Sequence, residues 1–254
     1  MSRTPKAMDK TEEEGRPDST RVASVVRAFE ILSAFEHAPA SLTLNELADR
    51  TGLYKSTILR LADTLIEHEF LMRAEDGTYQ IGPRPFLLGA RYQSSVIPAE
   101  WILPVLRELA AASGESAAFN VRNGDYRVCL WRVDSPRLIR DHTQPGDIRP
   151  LGTGAAGKLL EAFARREDPR YEELRRLPLS RSFGEVEADM AGLGVPVFGP
   201  LGDVRGVITL SGPSSRFTPE AMAVMEKLLW DAALRLTRRI GGDVAAFQVQ
   251  VDPK

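Results

Sequence analysis

Cysteine is almost missing from this chain. Cys129 stands alone among 254 residues, which excludes an intramolecular disulfide and any multi-thiolate metal site and suits a reducing compartment. Histidine is scarce too. His37, His68 and His142 lie far apart in sequence, and no histidine metal motif can be read from them. No apolar run approaches the roughly 20 residues a membrane helix needs, and Met1 to Thr20 lacks the apolar core of a signal peptide. The expectation is a cytoplasmic protein with no membrane partner, no metal and no cofactor. Charge of one sign is not in excess either: 33 Lys and Arg stand against 35 Asp and Glu, a formal charge of −2. A nucleic-acid surface would therefore have to be local.

What is present is an ordinary globular composition, 43% hydrophobic and 27% charged, with length for one or two domains whose cores need no staples. Residues 1–20 are polar, mixed in charge and without periodicity, which predicts a disordered tail. From Val22 the pattern changes. Val22, Val25, Val26, Phe29 and Leu32 recur at spacings of three and four, the mark of a helix with one apolar face. Thr43 to Glu46 reads as a capping box opening a short helix, and Gly52 ends it. A third helix follows from about Tyr54 to Glu67, with Ile58, Leu61, Ala62 and Leu65 on one face. Leu71 to Ile81 alternates around Asp76-Gly77, a two-residue hairpin signal. Helix, helix, tight turn, helix and hairpin together spell a winged helix-turn-helix.

Phe86 to Ser95 predicts a connecting helix, and Trp101 to Ser113 another, stopped by Gly114. Ala117–Val121, Tyr126–Val133, Leu138–Thr143, Leu193–Phe198 and Arg205–Ser211 are strand-like; Ile148 to Leu151 makes a poor strand. Thr153–Ala164 and Pro169–Leu177 look helical, and Thr218-Pro219-Glu220 caps a last helix running to about Ile240. Antiparallel strands flanked by helices give an α+β second domain. The expected boundaries are a tail at 1–20, a winged helix-turn-helix at 21–82, a linker helix at 83–97, a second domain at 98–241 and a C-terminal tail at 242–254.

The third helix carries the chemistry. A recognition helix presents short hydroxyls and a long cation near its N-terminal end, where it enters the major groove. Lys55, Ser56 and Thr57 suit phosphates and Arg60 is long enough for a base edge. Arg21 on the arm and Arg73 on the wing, together with Thr43, complete the expected DNA-binding set, and Arg84 would have to share their side. The bland alternative for the polar residues is a solvated helix face. Residues 21–85 carry seven Arg or Lys against nine Asp or Glu, so one such domain binds modestly and two linked copies are needed.

Rival chemistries are thin. Gly152 to Lys158 satisfies G-x-x-x-x-G-K, but Leu159 stands where a nucleotide-binding loop needs Ser or Thr. Small residues there leave backbone N–H groups open to an anion, or simply allow close helix–sheet packing. No G-x-S-x-G or H-E-x-x-H occurs, and no catalytic residue is assigned. Asp141 and His142, adjacent on a presumed strand, would face opposite ways. Glu185 and Glu187 fit a solvated loop better than a carboxylate pair, and Cys129 fits the core better than a redox sensor.

Three stretches resemble the IclR-type bacterial transcription regulators: Thr43 to Ala48, Thr51 to Thr57 and Asp76 to Gly82. The likeness continues through Gly152 to Lys158 and Val207 to Arg216, spanning about residues 21–241 in the family's order. It implies a GAF-like effector-binding second domain and a ligand-responsive, DNA-binding regulator of a metabolic or catabolic operon. It implies work as a dimer or tetramer on operator DNA, as repressor or activator. A small-molecule enzyme and an architectural DNA-binding protein are the alternatives. The same resemblance maps an effector site onto Leu138, Asp141, Ala155, Ala156, Ser182, Glu185, Met190, Gly192, Thr209 and Ser211. Such a lining suits a small organic effector, an organic acid or an aromatic, with an apolar body and one anionic or hydrogen-bonding end. Asp141 and Glu185 would repel a carboxylate unless one points away or is neutralised, which leaves an uncharged or amine-bearing ligand as the alternative. Two departures from the family's pattern stand out. The stretch between Phe163 and Phe183 is short, and Val186 and Met190 occupy a variable loop. The first helix and Phe86, Leu87 and Leu88 are the expected contacts between protomers, unless those side chains pack within their own chain.

Overall fold

The computed structural model describes residues 21–36, 38–245 and 247. The tail expected at 1–20 lies outside the described residues, as does the end of the tail expected at 242–254. The chain divides into two compact units that meet between Ala90 and Arg91, inside the expected linker helix.

In the first unit, α1 (Ala23–Ser33), α2 (Leu44–Thr51) and α3 (Lys55–Glu67) pack with a three-stranded sheet. Its strands are β1 (Ser41–Leu42), β2 (Leu71–Arg73) and β3 (Tyr79–Ile81), in the order β1-β3-β2. Ile31, Leu42, Leu47, Ile58, Ala62, Leu71 and Tyr79 form the core, each large apolar side chain contributing roughly 1.5–3 kcal/mol by leaving water. Thr43 caps α2 as the sequence predicts: its hydroxyl accepts the Glu46 N–H at 3.2 Å, and the Glu46 carboxylate accepts the Thr43 N–H at 2.7 Å. Gly52 closes the helix in the left-handed conformation at φ 68°.

Two details depart from expectation. Helix α1 has two apolar stripes rather than one. Ala28, Ile31, Leu32 and Phe35 turn inward, while Val22, Val25, Val26 and Phe29 face solvent, Phe29 at 62% exposure. The wing turn is longer than two residues. The Ala74 N–H donates to Thr78 O at 2.9 Å, leaving Glu75, Asp76 and Gly77 as a three-residue loop with Gly77 at φ 82°.

Helix α4 (Pro83–Val96) begins against the end of α3. The Arg84 N–H donates to Glu69 O at 3.0 Å. A β-carbon at Gly82 would lie 2.2 Å from the same oxygen, so only glycine fits that crossing.

The second unit is a six-stranded antiparallel sheet between two helical layers. The strands are β4 (Ser116–Asn123), β5 (Tyr126–Val133), β6 (Ile148–Pro150), β7 (Ser180–Phe183), β8 (Met190–Phe198) and β9 (Val204–Pro213). They run in the order β6-β5-β4-β9-β8-β7. Helices α5 (Ala99–Ser113) and α8 (Pro219–Arg239) cover one face, burying Leu106, Leu109, Phe119, Leu193, Ile208 and Leu229 among others. On the other face, α6 (Gly154–Ala164) packs through Ala156, Leu159 and Leu160. Gly194 lets α6 come close: a β-carbon there would stand 3.4 Å from that of Ala155. The close-packing reason for the small residues is thus met.

Leu138 to Thr143 is not a strand. Residues 134–147 are irregular, bounded by Pro136 and Pro145, and the poor strand Ile148–Pro150 takes the edge position beside β5 instead. Side chains hold the irregular segment where a ladder would have done: the Ser135 N–H donates to Ser116 Oγ at 3.0 Å, and Arg216 donates to Ile139 O at 3.2 Å. Between Phe163 and Phe183 the chain fits a single 3-10 turn, Pro169–Tyr171, and α7 (Glu172–Arg176). In the expected C-terminal tail, Phe247 is buried edge-on against Phe198 and Trp230, with ring centroids 5.2 and 5.6 Å away.

Candidate functional site

In the first unit the residues expected to meet DNA lie in four places: before α1, at the cap of α2, on α3 and on β2. Lys55, Ser56 and Arg60 are exposed on α3 and Thr57 is half-buried. The helix starts at Tyr54, 85% exposed, with no side-chain cap, so its first N–H groups remain open to a phosphate. Arg73 is exposed on β2 with its guanidinium 5.7 Å from the Tyr79 ring centroid. Arg21 is exposed just before α1. Thr43 differs from the rest: its hydroxyl also donates to Glu46 Oε2 at 2.7 Å. The Thr43 N–H, and then this hydroxyl, hold the Glu46 carboxyl below its usual range. Arg84, expected on the same side, pairs with Glu69 at 2.5 Å.

In the second unit a pocket opens between α6 and the sheet, with about 610 Å³ of empty space, its open mouth included. Eight expected residues line it: Asp141, Ala155, Ala156, Ser182, Met190, Gly192, Thr209 and Ser211. Two do not. Leu138 is 96% exposed on the irregular segment, because the strand meant to aim it inward does not form. Glu185 stands beside the lining and turns to α6, where Oε2 accepts the Gly154 N–H at 3.1 Å and Oε1 accepts Lys158 Nζ at 2.6 Å. Lys158 also donates to Arg181 O at 2.6 Å. The lysine of the nucleotide-loop pattern is therefore a fastener between α6 and β7.

Sequence reasoning missed the two arginines of the pocket wall, Arg127 and Arg132. They are five positions apart on β5 and would face opposite ways on a regular strand. A bulge corrects the parity: Phe119 pairs with Trp131 and Asn120 with Cys129, leaving Leu130 unpaired. The legible signal was two charges inside an otherwise apolar strand, because buried charge demands a partner or a purpose.

The charges sort themselves locally. The Arg132 side chain is 3% exposed and pairs with Asp134 at 2.7 Å and, more closely, with Asp141. The second Asp141 oxygen accepts the Ser211 hydroxyl. Asp141 is thus neutralised, which removes its half of the expected objection to a carboxylate ligand; Glu185, drawn to Lys158 and the Gly154 N–H, stands beside the lining. Glu187 leans toward Arg149 at 3.9 Å. Arg127 is left without a carboxylate partner among the described residues. Its Nη1 donates to Asn120 Oδ1 at 2.9 Å, and its Nε is buried with no partner. Burial first, and then repulsion from Arg149, pulls the Arg127 pKa below its ordinary value. Asn120 passes the chain on, donating to Thr209 Oγ1 at 3.2 Å. Cys129, opposite Asn120, is 1% exposed, and burial pushes its thiol up to about 12, which suits packing and not redox sensing. No cluster of three or more His, Cys, Asp or Glu able to hold a metal occurs among the described residues.

Comparison with known proteins agrees across both units. Residues 24–75 match the IclR helix-turn-helix domain and residues 93–175 match the bacterial transcriptional regulator IclR C-terminal domain. The HTH-type transcriptional regulator KipR of Bacillus subtilis is 27% identical, over 86% of this chain and 97% of the relative. Among solved structures, an IclR transcriptional regulator from Alicyclobacillus acidocaldarius superposes with a TM-score of 0.72 at 25% identity, covering 87% of this chain and 100% of the other. An IclR homolog from Microbacterium hydrocarbonoxydans, complexed with 4-hydroxybenzoate, shares the fold at a TM-score of 0.73 and 20% identity, covering 85% and 98%. From the winged helix-turn-helix to the sheet that follows it, the chain belongs to the IclR family of bacterial transcription regulators.

Proposed function

We propose that the protein binds operator DNA through α3 and the wing, and that a small organic effector in the pocket of the second unit adjusts that binding. The observation that carries the DNA reading is the start of α3: uncapped, exposed, and bearing Lys55, Ser56 and Arg60. In this reading Lys55, Ser56, Thr57 and the α3 N-terminus hold phosphates, Arg60 reads a base edge, and Arg21 and Arg73 extend the contact along the backbone. Thr43 serves this surface through the cap that fixes where α2 begins. The pocket supports the effector half. It gathers apolar wall from Ala155, Ala156 and Met190 and hydrogen-bonding groups from Ser182, Thr209 and Ser211. A bound aromatic acid in one structural relative is compatible with such a lining. The effector changes operator affinity to the extent that it binds one conformational state of the protein more tightly than the other.

Assembly belongs to the same proposal. Val22, Val25, Val26 and Phe29 on α1 are exposed, and so are Phe86, Leu87, Leu88 and Tyr92 on α4. Two apolar rows left in water favour pairing with a second copy, which also gives a slightly acidic reader two half-sites about 34 Å apart.

The DNA assignment is tested on an operator selected from random sequence. Arg60→Ala is expected to cost about 1–3 kcal/mol of affinity and relax the preference at one base position. Lys55→Ala is expected to weaken all sequences alike and lower the salt slope by about one. Wild-type affinity in both variants would mean that another face enters the groove.

A further inference from the structure

Two adjacent positions suit an anion, one in the pocket wall and one beside the lining, and the protein's own carboxylate fills the second. Both adjoin Gly154 at the start of α6. Glu185 supplies the filled one, with its oxygens on the Gly154 N–H and on Lys158 Nζ. Arg127 supplies the open one: its Nη2 lies 3.6 Å, and Val186 Cγ2 2.8 Å, from where a Gly154 β-carbon would stand. Gly154, at φ 71°, is what lets the loop after β7 close over this end. The other charges of the wall are matched. Arg132 is taken by Asp134 and Asp141, and Glu187 faces Arg149. Arg127 remains in the wall without a carboxylate, and its buried Nε has no partner among the described residues, as is also true of Arg149 Nε outside the lining.

Building on the reading of this pocket as the effector site, we infer that Glu185 is a specificity-determining residue. It restricts the effector to a monocarboxylate, received by Arg127, and rejects the corresponding dicarboxylate. A single carboxylate balances Arg127 and can satisfy its Nε. A second carboxylate next to the first would approach the Glu185 carboxylate beside the lining, where Lys158 is already taken and the described residues of the wall offer no further unpaired cation, and like charges so placed repel. Asn120, Thr209 and Ser182 face the rest of the ligand and suit an uncharged hydrogen-bonding group. Glu185 thus stands in for the second charge of a dicarboxylate.

Calorimetric titration with butyrate and succinate, and with benzoate and phthalate, tests this, since each pair differs by one neighbouring carboxylate. The wild type is expected to favour a monocarboxylate over its partner by about tenfold or more. In Glu185→Gln and Glu185→Ala, Lys158 loses its carboxylate partner, and the ratio is expected to fall to within about threefold. A ratio unchanged in both variants overturns the inference. So does narrowing in Glu185→Ala alone, which would assign the effect to shape and not charge, and so does a wild type that binds none of the four. Ala156→Leu separates this from the underlying reading. If it abolishes monocarboxylate binding while the Glu185 variants keep the wild-type ratio, only the role of Glu185 fails. If binding survives it unchanged, the pocket is not the effector site.

Discussion

Arg132 and Asp141 place a nearly buried ion pair in the pocket wall, with side-chain exposures of 3% and 10%. Such a pair adds little net stability compared with well-packed apolar residues, but removing one partner strands the other charge away from water. Arg132→Met is therefore expected to destabilise the second unit by about 3–5 kcal/mol. Adding Asp141→Leu should recover most of that loss. Urea unfolding followed by tryptophan fluorescence reads this unit selectively, because Trp101, Trp131 and Trp230 all lie beyond Ala90. If the double variant is as weak as the single one, Arg132 is held by packing and not by its charge. Arg127 has no such pair to lose, which is the physical difference between the two arginines: two carboxylates, Asp134 and Asp141, are built in for Arg132, and none among the described residues for Arg127.

At the scale of elements, the cap of α2 gives the clearest test. Thr43→Ala removes the hydroxyl that accepts the Glu46 N–H and is expected to cost the first unit about 1 kcal/mol, whereas Thr43→Ser should keep nearly all of it. The far-UV circular dichroism transition of this unit should shift with no matching change in tryptophan fluorescence. Equal losses in Ala and Ser variants would point to the γ-methyl group instead of the cap. This cap was legible because its chemistry is local: four consecutive residues specify it. Helix α3, β5 and α8 were legible for the same reason, through periodicity and caps. What escaped was decided at longer range. The bulge at Leu130 depends on how β5 meets β4, and it alone brings Arg127 to the pocket. Residues 138–143 have strand-like side chains, yet Arg132, Ser211 and Arg216 hold that segment out of the ladder. Of the positions mapped from family motifs, those on α6, β7, β8 and β9, whose faces regular geometry sets, line the pocket together with Asp141. Leu138 and Glu185, both in connections whose path the motifs do not fix, stand outside the lining.

At the scale of the whole molecule, the outward row on α1 matters most. Phe29→Glu places a charge in the middle of Val22, Val25 and Val26, and on the pairing proposed above it is expected to lower the sedimenting mass toward that of one chain at micromolar concentration. The fold of each unit should be unaffected, since Phe29 is 62% exposed. A variant that sediments like the wild type would place the interface elsewhere. The row also has a consequence for dosage. A reader that must pair before it holds DNA responds to the square of its own concentration while monomers predominate, so doubling the supply of chain raises operator occupancy about fourfold at the foot of the curve. Four apolar side chains left in water would thus make transcription respond to the regulator's abundance as a threshold, even in a cell whose effector level never changes.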